Sequence, residues 1–134
     1  MNHKRGVIAF LMAFVFTFFF GFVWHGLLMK PYYAAMPEHF RAAPVFPWLI
    51  LGQVILAFAF TGLYVSKVRV HGAGIGFGYG IVIALFASGA NLLRFATEPI
   101  GGTMVCLWIV GVFIQFGIAG AIVGAIYRPL PLSG

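Results

Sequence analysis

Four long apolar runs separated by short polar loops constrain this chain more than any other feature. Residues 6–29 contain only Thr17 and His25 as polar side chains, and at about 1.5 Å of rise per residue such a run crosses roughly 30 Å of hydrocarbon with some tilt. Comparable runs cover residues 47–66, 72–97 and 103–127. With 63% hydrophobic and 7% charged residues, the chain cannot build a water-facing shell, and its 134 residues leave no room for a soluble catalytic domain beside four spans. The expected fold is therefore all-α, a single domain over residues 1–134 made of an antiparallel bundle of four transmembrane helices.

The loops carry helix-stopping chemistry. Pro31, Pro37 and Pro44 forbid a long regular helix between the first two spans, although Tyr32 to Arg41 can lie partly helical along the interface. Pro47 and Trp48 open span two, proline at a helix start and tryptophan at the boundary. Glu98-Pro99-Ile100-Gly101-Gly102 is a tight turn, because the residue before proline leaves helical geometry. The first run also follows a basic start, as a signal peptide does. It is much longer than the usual apolar core of a signal, and Ala34-Ala35-Met36 is a poor cleavage site, so it is expected to stay as a span.

Charge sets the orientation. The net charge of +6 arises from eight Lys and Arg against two Glu, and the cations stand singly or in pairs at the ends of the apolar runs. That is the pattern of bilayer orientation rather than of nucleic-acid binding. Lys4, Arg5, Lys67, Arg69 and Arg128 fall on one side, and Lys30, Arg41 and Arg94 fall on the other with both glutamates, so both termini are expected in the cytoplasm. A single cysteine, Cys106, excludes an internal disulfide and any multi-cysteine metal site.

At 100° per residue each span shows one small or polar stripe. Thr17, Gly21 and His25 mark span one, and Gln53, Ala57 and Thr61 mark span two. Span three carries Gly72, Gly76, Gly80, Ala84 and Ala87, leading into Ser88, Asn91, Arg94 and Glu98. Span four offers Thr103, Cys106, Gly117, Gly120, Ala121 and Gly124. Lipid tails are as apolar as leucine, so membrane helices associate through close packing at small residues and through interhelical hydrogen bonds. Gly72, Gly76, Gly80, Gly117, Gly120 and Gly124 are accordingly the expected packing positions. The glycine run GAGIGFGYG lacks the preceding strand of a nucleotide-binding loop and reads as helix packing.

Gln115 breaks the pattern. It lies on the side of Trp108 and roughly opposite Gly117 and Gly124, and an unpaired amide facing lipid costs several kcal/mol. Either the glycines do not face the bundle or a partner chain covers Gln115 and Trp108; a partner is the expectation. A polar cluster of His25, Gln53, Asn91, Arg94 and Glu98 is expected at the outer end. Intramembrane ionisable residues raise a functional hypothesis by default, while Arg94 can also snorkel to the headgroups or pair with Glu98 one turn on.

No Ser/His/Asp arrangement, paired intramembrane carboxylate or H-E-x-x-H occurs, so no enzyme, metal or cofactor is expected. His25 is the one histidine inside a span, which leaves single-ligand haem or pigment binding as a minor alternative. The expected role is an accessory or structural subunit packing in the lipid bilayer against other membrane subunits or itself. The alternatives are a small homo-oligomeric transporter or channel using the outer cluster, and pigment, lipid or quinone binding at the Phe-rich first span.

The run Phe22-Val23-Trp24-His25-Gly26-Leu27-Leu28-Met29-Lys30-Pro31-Tyr32-Tyr33, followed by Met36-Pro37 and Phe40-Arg41, resembles a family of small, functionally uncharacterised four-span inner-membrane proteins of bacteria. Ala57-Phe58-Ala59-Phe60-Thr61 and the Glu98-Pro99 turn extend the resemblance. It implies the fold and a bacterial inner-membrane location, and it carries over no catalytic or binding residue; Arg94 stands where such sequences often have a neutral residue.

Overall fold

The computed structural model describes residues 2–129. Helix α1, His3–Gly21, continues without a break into a π-helical segment, Phe22–Leu28. Short α2, Lys30–Ala34, begins the loop, and α3 (Phe46–Lys67), α4 (Ala73–Thr97) and α5 (Gly102–Ile126) complete the chain. Four helices are long and apolar enough to cross a membrane, so the protein has the build of a multi-pass membrane protein. Asn2 donates its side-chain amide to the Arg128 carbonyl at 3.2 Å, which puts both ends of the described chain on one side of the bundle.

The helix limits follow local chemistry. The Asn2 side chain accepts the Arg5 N–H and caps α1, and Pro47 stands in the first turn of α3. Gly72, at φ 149°, makes the turn into α4 in a conformation that side chains disfavour. Glu98, ahead of Pro99, is extended and ends α4, and Tyr127 does the same for α5 shortly before Pro129. Span one differs from expectation, because it starts at His3 and its last turns widen: the Met29 N–H reaches the Trp24 carbonyl, five residues back, at 2.9 Å.

Glycine decides which helices come closest. A Cβ on Gly76 would fall on the Gly120 carbonyl and one on Gly80 on the Phe116 carbonyl, while one on Gly120 would fall on the Gly76 carbonyl. Gly124 is just as close to Gly72, and the Gly117 position lies under the Phe77 ring. All six expected packing glycines thus lie in the α4–α5 seam, with Gly76, Gly80, Ala84 and Ser88 forming its buried stripe on α4. This close approach multiplies dispersion contacts between backbones, which is what drives association in lipid.

Helix α5 is the central helix. In its apolar window 44% of residues are buried, against 17–22% in the other three. Its second face, Trp108, Gly111 and Gln115, meets α1: the Trp24 ring covers Gly111, and the Gln115 amide donates to the Thr17 carbonyl at 3.3 Å. Helix α3 packs beside α1, with Gln53 set against Gly21 and with Ala57, Phe60, Thr61 and Tyr64 buried. Helices α3 and α4 meet mainly through long aromatic side chains. Phe60 lies 4.9 Å from Tyr79 and 5.6 Å from Phe116, and the Tyr79 hydroxyl donates to the Phe60 carbonyl at 2.7 Å.

If the seam is this tight, Gly76→Ala or Gly120→Ala will destabilise the protein by about 1–3 kcal/mol through overpacking. Gly78 is on the same helix with open space beside it. Gly78→Ala will therefore be neutral or mildly stabilising, because alanine is the better helix former by about 1 kcal/mol. Reversible unfolding of the three variants in mixed micelles measures the contrast.

Candidate functional site

At the end of the bundle opposite the termini, the loop after span one folds back over α5. Pro31 and the small size of α2 keep Tyr33 one turn beyond Met29, and successive turns bring Met36 and Phe40 over the same surface. Met29, Ile100, Met104, Val105 and Trp108 form a second buried cluster there, with Trp24, Tyr33, Met36 and Phe40 packed around it. The unbranched methionines suit such an irregular junction of helix ends and loop.

Trp108 is the hub of this cap. Its indole N–H donates to the Tyr33 hydroxyl at 2.8 Å, the Phe40 ring meets it edge-on at 6.2 Å, and the Arg94 guanidinium lies over it at 4.9 Å. Arg94 in turn forms a two-point pair with Glu98, Nε to Oε1 and the second nitrogen to Oε2, both at 2.9 Å. The Tyr33 hydroxyl also lies 2.6 Å from His25 Nδ1. Having accepted the tryptophan N–H, it can give its own proton to a neutral imidazole, which then carries its proton on Nε2. The result is one connected path, Glu98–Arg94–Trp108–Tyr33–His25, that ties α4, α5, the loop and the π-helical segment together.

The widened turn explains where His25 sits. Ala9, Ala13 and Thr17 are buried at i, i+4 spacing and Gly21 continues the line against Gln53, but a π-helical segment takes more residues per turn. The stripe predicted through His25 is thereby broken. Trp24 turns toward α5, where its indole N–H donates to the Leu107 carbonyl at 3.2 Å, and His25 turns toward Tyr33.

Of the five residues expected in the polar cluster, the structure joins His25, Arg94 and Glu98. Gln53 belongs to the α1–α3 contact, where its Oε1 is buried without a partner, and Asn91 is half-buried on α4 outside the network. Trp108 and Gln115 require a correction. Both were expected to face a partner chain, and both are buried inside this chain, because α5 is covered on two opposite faces, by α4 at its glycines and by α1 at Trp108, Gly111 and Gln115. Sequence reasoning missed Tyr33 as a site residue and assigned Trp108 to a partner contact rather than to this network. A phenol four residues after a methionine that ends a span, and an indole two turns before Gln115, are the signals that belonged to them.

The electrostatics of the network centres on the Arg94–Glu98 pair. Arg94, by hydrogen bonding, holds the Glu98 carboxyl below its ordinary range; burial opposes this and the Arg94 charge adds to it. Burial pushes the Tyr33 phenol upward, opposed by the Trp108 hydrogen bond and the Arg94 charge, so it stays protonated. With two of its nitrogens committed to Glu98, Arg94 acts here as a brace between α4, Trp108 and the turn. No cluster of three or more His, Cys, Asp or Glu suited to a metal ion occurs among the described residues.

Tyr33→Phe removes the acceptor of a buried indole N–H and will cost about 1–3 kcal/mol, with a shift in tryptophan emission. Tyr32→Phe, at an exposed position, will leave the unfolding midpoint unchanged in the same thermal scan. The sign of the pH effect at Glu98 follows from its lowered value. Its contribution is complete above the ordinary 4.5 and is lost as the pH falls through the depressed folded-state value. The difference in unfolding midpoint between wild type and Glu98→Gln will persist at neutral pH and close only below pH 4.5. Compared with known protein families, curated proteins and solved structures, the chain gives no match.

Proposed function

We propose that this protein is a non-enzymatic accessory or structural subunit of a bacterial inner membrane, with both termini cytoplasmic, packing against another membrane subunit or another copy of itself. One observation carries this reading: the helices close on one another along the glycine seam, and three of the four buried polar side chains among the described residues, Thr17, Ser88 and Gln115, are spent on carbonyls of their own or a neighbouring helix. Thr17 donates to the Phe14 carbonyl, Ser88 to the Ala84 carbonyl and Gln115 to the Thr17 carbonyl, while the glycine seam fills the depth at which a path would have to run. A conduit needs a polar lining through its length. The brace of Arg94 and Glu98 supports the same reading, because it fixes the cap to α5.

With Trp108 and Gln115 inside the bundle, the partner surface is better sought on α4. Gly74 and Gly78, one turn apart on the side away from α5, have open space beside them and form the small-xxx-small spacing that lets a second helix approach. The orientation rests on Lys4, Arg5, Lys67, Arg69 and Arg128 outnumbering Lys30, Arg41 and Arg94 across the membrane. A second reading, a small homo-oligomeric transporter or channel, draws support from the π-helical segment at His25, since such segments recur at functional sites.

Purification from native membranes in mild detergent, followed by native mass spectrometry, separates the two. A stoichiometric complex with a larger membrane protein, lost in Gly78→Ile, is the expected result. A lone monodisperse monomer would contradict the subunit role. A homo-oligomer that passes solute in vesicles, with flux abolished by His25→Ala, would replace it with the transporter.

A further inference from the structure

Four hydroxyls in the spans, those of Thr17, Ser66, Ser88 and Thr97, donate to carbonyls three or four residues back in their own helices. Thr61 does not. It is only 3% exposed, and its Oγ1 is buried with no partner among the described residues. Thr61 precedes Lys67, the last residue of α3, by six residues, which is about 9 Å along the axis and places it in the hydrocarbon layer rather than among the headgroups. A hydroxyl left over at that depth has no water to turn to and calls for an acceptor.

Thr61 also forms part of the wall of a groove of about 380 Å³ between α1 and α3, with Val7 and Phe10 on one side and Phe58, Gly62 and Val65 on the other. The Phe10 and Phe58 rings meet edge to face at 6.2 Å. A Cβ on Gly62 would meet nothing within 4 Å, so this glycine leaves its side of the groove open. Polarity returns at Asn2 and His3, where the groove reaches the start of α1, and the Asn2 side chain is already bonded to Arg5 and Arg128. Small-molecule pockets have volumes of roughly 300–1,000 Å³ and apolar, aromatic walls with a few polar groups that fix orientation. The groove has that build, with Thr61 as its buried polar group.

An occupant has to dissolve in hydrocarbon and present an acceptor well inside it. A phospholipid carries its ester carbonyls at the edge of the hydrocarbon, about 9 Å short of Thr61, whereas a quinone carries its carbonyls on a ring that enters the layer itself. We propose that the groove between α1 and α3 binds a bilayer quinone, with its ring against Phe10 and Phe58 and one carbonyl accepting the Thr61 hydroxyl. The aromatic side chains favour a flat ring, and Thr61 sets its direction. The site is assigned binding alone, and it depends neither on the partner proposed above nor on which side of the membrane the termini occupy.

Binding of decylubiquinone to the full chain in detergent, read by native mass spectrometry, tests it. The wild type will bind decylubiquinone about tenfold more tightly than decylbenzene, which has the ring and tail without the carbonyls; that is the scale of one hydrogen bond. Thr61→Val, which keeps the shape and removes the hydroxyl, will lose that preference, and Thr61→Ser will keep it. Gly62→Leu fills the groove and will abolish binding, while Gly52→Leu, an equally open glycine of α3 outside the groove, will bind as the wild type does. Equal binding of the two probes by the wild type, or of decylubiquinone by wild type and Thr61→Val, would overturn the proposal. Displacement of decylubiquinone by equimolar phosphatidylethanolamine, with the same dependence on Thr61, would overturn it in favour of a lipid ester. The unfolding midpoints of Thr61→Val and Thr61→Ser without ligand separate a loss of binding from a loss of fold.

Discussion

The close approach of α4 and α5 at Gly76, Gly80, Gly120 and Gly124 is the contact on which the rest of the molecule depends. In lipid there is no hydrophobic gain from pressing leucines together, so a bundle is held by how near its backbones can come. Glycine gives the smallest separation, and here the separation leaves no room for a single methyl on either side. Once α4 is fixed on one face of α5, the opposite face remains free to receive α1 at Trp108, Gly111 and Gln115. Helix α3 is attached last in spatial order, through α1 and through the aromatic wedge of Phe60, Tyr64 and Tyr79.

The two ends of the bundle solve different problems. The end away from the termini is closed by its own residues, since Glu98 compensates Arg94, Arg94 covers Trp108, and Trp108 holds Tyr33 and with it the loop. The end that carries the termini has cations and no acidic side chains, together with a helix start that lacks a side-chain cap. At one end an ion pair is built into the packing, and at the other the cations have no acidic side chain beside them. That asymmetry of charge distinguishes the two ends chemically.

Much of this was legible in the sequence, because spans are written in long apolar runs and small residues at i, i+4 mark where backbones meet. The four spans, the glycine stripe of α4 and the Arg94–Glu98 pair follow from such local rules. What was not legible came from long-range placement. Gln115 appeared to face lipid because a one-stripe reading gives every helix one inward face, whereas a central helix such as α5 has two. His25 left its predicted stripe because a change from α to π geometry after Gly21 rotates everything beyond it, and no residue there announces the change. Tyr33 and Trp108, far apart in the chain, could be paired only once the loop was seen folded over α5. Gln53 shared the outer level with the other polar residues but not the same side of α1.

The most direct measurement is a solid-state NMR correlation spectrum of the protein in bilayers, with the glycine Cα carbons labelled and the seam glycines assigned. The account predicts strong through-space cross-peaks from Gly76 to Gly120 and Gly124, and none linking Gly74 or Gly78 to α5. Cross-peaks from Gly74 or Gly78 to the α5 glycines, with those of Gly76 missing, would contradict it.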